Sequence, residues 1–103
     1  MDTYGPIYAE GNKYAVVKAK FYPAQGRVFI YSDLGCFTSK VRARAYAAAR
    51  AYWLRKEGVH VVGSAVEGYK FGYGETEETM HDHYELLVLP IVGGVVHIDK
   101  MGW

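Results

Sequence analysis

Residues 14–33 read YAVVKAKFYPAQGRVFIYSD, and the parity of this stretch decides the fold. From Tyr14 to Tyr22 the odd positions are Ala15, Val17, Ala19 and Phe21, and the even positions are Tyr14, Val16, Lys18, Lys20 and Tyr22. A period of two is a strand, here with one apolar face and one basic-aromatic face. Pro23-Ala24-Gln25-Gly26 is a turn, and Arg27 to Asp33 returns as the second strand of a hairpin. With those residues in the loop, Tyr22 pairs with Arg27, Lys20 with Phe29 and Lys18 with Tyr31, while Phe21 meets Val28 and Ala19 meets Ile30 on the other face. A one-residue slip would move Lys18 and Lys20 to the side of Val28 and Ile30.

Outward from the hairpin, Leu34 to Phe37 is a connector and Thr38 or Ser39 can cap a helix from Lys40 to about Glu57. That segment is rich in alanine and lacks internal glycine or proline, which favours helix. Gly58 stops it, with Arg55 and Lys56 well placed in the last turn. Val59 to Val66 and Gly68 to Gly74 read as strands, the latter with Tyr69, Phe71 and Tyr73 on one face. Glu75 to Tyr84 is an acidic loop or short helix. Leu86 to Val92 and Val95 to Asp99 form a last hairpin around a tight Gly93-Gly94 turn. Both its faces are mainly apolar, which suits a central strand or an oligomer interface.

The expectation is a single α+β domain over 1–103, with 1–12 as an irregular arm. Its architecture is a mostly antiparallel sheet of five to six strands in the order β-β-α-β-β-β-β, with one long helix packed on one face. The helix should pack through Val41, Ala45, Ala48 and Tyr52. One helix cannot cover both faces of such a sheet. The basic-aromatic face is therefore expected to point away from the helix, toward solvent, another chain or a ligand.

At 103 residues the chain is one domain's worth, half of it hydrophobic, with a net charge of +1. It has a single cysteine, Cys36, so no internal disulfide forms, and Cys36 reads as a small apolar side chain. No signal-like N-terminus is present, and no apolar run reaches the ~20 residues of a membrane span. The reading is an intracellular (cytoplasmic) protein without a membrane partner. Asn12 and Gln25 are the only amide side chains, a trait of thermophilic proteins. Phosphate-binding glycine loops, Ser/His/Asp patterns, zinc-finger spacing and dinucleotide fingerprints are all lacking. The chain reads as a binding protein rather than an enzyme, with no cofactor.

The function-bearing feature is the face formed by Lys18, Lys20, Tyr22, Arg27, Phe29 and Tyr31. Single-stranded nucleic acid is held by cations that track its phosphates and by rings on which its bases stack. Val28-Phe29-Ile30 resembles the short first-strand motif of the RNA-recognition-motif family, and Phe71-Gly72-Tyr73 resembles the middle of that family's third-strand motif. The resemblance covers a handful of residues and implies stacking roles for Phe29, Phe71 and Tyr73. Tyr69 and Lys70 depart from it, standing where a basic residue and glycine are expected. On the helix, Arg42, Tyr46, Ala49, Arg50 and Trp53 share one sector, where an exposed Trp53 beside Arg42 and Arg50 could grip a backbone or a protein partner.

Two other readings compete with nucleic-acid binding. The same face, or the C-terminal hairpin, could instead form a homodimer or dock on a protein. His81 and His83, two apart on an extended segment, could share a divalent metal. They faintly resemble the His-hydrophobic-His pair of rolling-circle nicking enzymes, which would make the chain a metal-dependent nuclease.

Overall fold

The computed structural model describes residues 3–4, 11–22, 27–72 and 83–98. Its elements are β1 (Thr3–Tyr4), β2 (Tyr14–Tyr22), β3 (Arg27–Phe37), α1 (Lys40–Lys56), β4 (His60–Ser64), β5 (Gly68–Gly72), β6 (Tyr84–Val92) and β7 (Val95–His97). The α+β architecture is as expected: one helix packs on an antiparallel sheet. Thr3–Tyr4, within the N-terminal arm, adds a two-residue strand beside β7.

β6 organises the sheet. One edge pairs with β2 from Pro90 to Tyr84. The other edge is shared, with Tyr84–Leu86 on β5 and Ile91–Val92 on β7. β3 lies beyond β2, and β4 beyond β5. Leu86, Leu87, Val88 and Leu89 are all buried, which fits a strand apolar on both alternations. Gly93 and Gly94 turn the chain into β7 with φ of 59° and 76°, the pair of positive values a primed two-residue turn requires.

The first hairpin keeps the expected register at its tip: Tyr22 pairs with Arg27, Phe21 with Val28, Lys20 with Phe29 and Ala19 with Ile30. Two register shifts follow, so that Lys18 pairs with Ser32 and Val16 with Gly35. Tyr31 and Leu34 are the extra residues, each a bulge that re-aims the strand. The expected Lys18–Tyr31 pair is corrected accordingly. The segment read as a connector is the end of β3, whose Phe37 pairs with Tyr14.

Ser39 caps α1, its Oγ accepting from the Arg42 amide at 3.5 Å. The packing face is Ala43, Ala47 and Ala51, all fully buried, flanked by Tyr46 and Leu54. This overturns the expected stripe, since Val41 is 75% and Tyr52 52% exposed. Both stripes satisfy the helical period. The all-alanine one lets the backbone lie close on the sheet, with larger side chains filling the margins.

The helix crosses its face diagonally. Lys40 in its first turn sits over the Tyr14 ring at 5.6 Å, and Arg55 in its last turn donates to the Val61 carbonyl at 3.2 Å. Beneath it lie Val16, Leu86, Val88, Tyr69, Phe71, Val59 and Val61. Val16 belongs to the even positions of β2, so the helix sits on the basic-aromatic side of that strand, not on the opposite one. A nine-residue strand spans ~30 Å and a helix is ~10 Å wide, so one face can be core at one end and open at the other. The odd face is closed by the chain itself: Ala15, Val17, Ala19, Leu87, Leu89 and Val96 form a second buried cluster with Ile30, Cys36, Ile91 and Ile98 at its margin. The expectation that the face opposite the helix is left uncovered is thereby corrected. Among the described residues no helix is long and apolar enough to cross a membrane.

Candidate nucleic-acid interface

The diagonal helix leaves one corner of its face open. Across that corner the strand register forms a rank, with Phe29 of β3 beside Lys20 of β2, then Tyr84 of β6, then Phe71 of β5. Lys18 and Tyr22 stand one pleat to either side of Lys20 and point the same way.

Aromatic rings and ammonium groups interlock here. Lys18 Nζ lies 4.4 Å and Lys20 Nζ 5.3 Å from the Tyr84 ring centroid, and Lys20 Nζ is also 5.5 Å from that of Tyr22. Tyr22 meets Phe29 edge to face at 5.2 Å. The Tyr22 and Tyr31 hydroxyls are hydrogen-bonded at 2.5 Å. The Tyr31 ring lies 6.1 Å from that of Tyr84.

Tyr31 is half exposed, the most open ring of the corner. Its hydroxyl is held above the ordinary tyrosine value of 10.0, chiefly by the hydrogen bond to Tyr22, with Lys20 and Lys18 pulling weakly the other way. Asp33 pairs with Val17, and Glu85 with Ala19, so alternation sends both carboxylates to the far face. The corner's described strand residues are cationic, aromatic or hydroxylic.

The remaining expected site residues are placed as follows. Arg27 enters through its backbone pair with Tyr22. Phe71 is buried and stacked under Tyr84 at 5.8 Å and 26°. It can offer no face to a base, which corrects its expected stacking role. Arg42 and Arg50 are exposed and lie one helical turn to either side of Tyr46, whose hydroxyl donates to the Leu34 carbonyl at 3.2 Å. That spacing sets both arginines on the helix flank turned toward β3. Tyr73 and His81 lie outside the described residues. His83 is half-buried just before β6, and among the described residues no group of three or more metal-binding side chains converges. Burial, and then the nearby Asp33 charge, push the Cys36 thiol up, away from the reactive thiolate.

Sequence reasoning missed Tyr84. In the sequence it closes the acidic segment, and only the β2–β6 pairing, long-range in sequence, brings it beside Lys20. At the other end of β2 an open cleft of about 470 Å³ is lined by Lys13, Tyr14, Pro90, Ile91, Val92 and Gly93. That lining contains no acid–base pair. No family model, curated protein or solved structure matches this chain, so the reading of the corner rests on its own residues.

Proposed function

We propose that this protein binds single-stranded nucleic acid, without catalysis, on the open corner of its helix-bearing face. The observation that carries the reading is the clustering of Lys18 and Lys20 around Tyr84, beside the exposed ring of Tyr31, with no carboxylate from β2, β3 or β6 on that side. Phosphates take the two ammonium groups and a base stacks on Tyr31, with Phe29 and Tyr22 bracing the ring below. Arg42 and Arg50 on the helix flank extend the cationic track. Cations and rings alternating on one pleated surface supply the two interactions that sequence-tolerant single-strand binding needs.

The test is fluorescence anisotropy with labelled oligo-dT and oligo-U at about 50 and 200 mM salt. Tyr31→Ala should remove about 1–3 kcal/mol of binding. Lys18→Ala with Lys20→Ala should lower the slope of log K against log salt by about 1.4, at ~0.7 per phosphate contact. Parent-like binding by both variants, or no binding by the parent, rejects the reading.

A further inference from the structure

Among the described residues no element packs on the outer face of α1, and that face is apolar. Val41 is 75%, Tyr52 52% and Trp53 62% exposed, and Tyr52 and Trp53 meet edge to face at 5.6 Å. Val41, Ala45, Ala48 and Tyr52 follow one another at spacings of four, three and four, the seam of a helix that pairs with another helix. This seam is separate from the alanine stripe that holds α1 to the sheet, so the helix carries two apolar stripes and, among the described residues, packs through one of them. Charge decides what suits the second. Lys40, Arg42, Arg44, Arg50, Arg55 and Lys56 are the charged residues of α1, and no acidic residue interrupts them.

We infer that this face docks an acidic amphipathic helix of another protein, with apolar residues along the seam and glutamate or aspartate on its flanks. A second copy is the poorer occupant, because two such faces would set arginine against arginine along both margins. Nucleic acid is poorer too. The centre line of the face is Val, Ala, Ala and Tyr, with Arg42 and Lys56 to one side and Arg44 and Arg55 to the other, whereas a phosphate backbone needs donors along its path. Tyr, Trp and Arg together are the residues that carry most binding energy in protein interfaces. The inference does not depend on the open sheet corner.

The probes are three synthetic three-heptad peptides: one with leucine at the seam and glutamate on the flanks, a scrambled peptide of the same composition, and one with lysine replacing glutamate. Calorimetry on the full chain should show saturable binding of the glutamate peptide, and at least tenfold weaker binding of the other two. Val41→Glu with Tyr52→Ser, both at exposed positions, should weaken the glutamate peptide at least tenfold and leave oligonucleotide binding unchanged. Circular dichroism of that variant should match the parent. Equal binding of the scrambled peptide, or no binding of any, overturns the inference. So does a dimer in the parent abolished by Val41→Glu.

Discussion

Lys18 rests its ammonium group over the ring of Tyr84, 4.4 Å from the centroid, although the residue it pairs with on β6 is Leu86. The lysine therefore leans diagonally toward the corner rather than straight out, and Lys20 approaches the same ring. Tyr84 thus gathers two positive charges into one small region, at ~0.5–1 kcal/mol for each exposed cation–ring contact.

Replacing that ring tests its part in positioning. Tyr84→Leu keeps the apolar contact with Phe71 and removes the attraction for the lysines. We expect a folded variant whose oligonucleotide affinity falls about two- to fivefold, in line with that cation–ring energy. Unchanged affinity by anisotropy would show that the lysines need no such support.

The hydroxyl pair of Tyr22 and Tyr31 gives a pH signature. Folding raises the Tyr31 value, so the folded state holds that proton more tightly than the unfolded one. The stabilisation is fully present below the ordinary value of 10.0 and is lost as pH rises through the folded value. Tyrosinate absorbance should show Tyr31 among the last exposed tyrosines to ionise. Tyr22→Phe should bring it back down, and a titration curve unaltered by that change would refute the assignment.

The phase of the helix is open to a paired test. Ala47 is fully buried and Ala48 is exposed. Ala47→Leu overpacks the helix–sheet contact at a cost of about 1–3 kcal/mol, whereas Ala48→Leu should stay within about 0.5 kcal/mol of the parent in urea unfolding. Equal effects would mean that the helix is rotated from the orientation described.

Local patterns carried much of this fold. The first hairpin's tip register, the helix from Lys40 and the Gly93-Gly94 turn each follow from neighbouring residues, because parity, capping and turn geometry are short-range rules. What did not follow was decided at long range. Val16 and Lys20 share a face, yet the diagonal helix buries the first and leaves the second accessible. No periodicity distinguishes the two ends of such a strand. The bulges at Tyr31 and Leu34 are invisible for a similar reason: they become register shifts only against β2. The stripe through Val41 and the stripe through Ala43 fit the helical period equally well, and only the close approach of helix to sheet selects the second. Of the site, Lys18, Lys20, Tyr22, Phe29 and Tyr31 were legible from the hairpin, while Tyr84 and the burial of Phe71 depended on the β5–β6–β2 pairings.

The divided edge of β6 bears on how the chain reaches this state. Leu86 and Val88 belong to the cluster under the helix, Leu87 and Leu89 to the one on the reverse side, and β6 follows β2, β3, α1, β4 and β5 in chain order. The earlier hairpins can zip locally, but neither cluster closes until this late segment slots between β2 and β5. Such distant pairing is slow to form. During synthesis the emerging chain would display unpaired strand edges until the last insertion, a window in which chaperone capture or aggregation competes with folding.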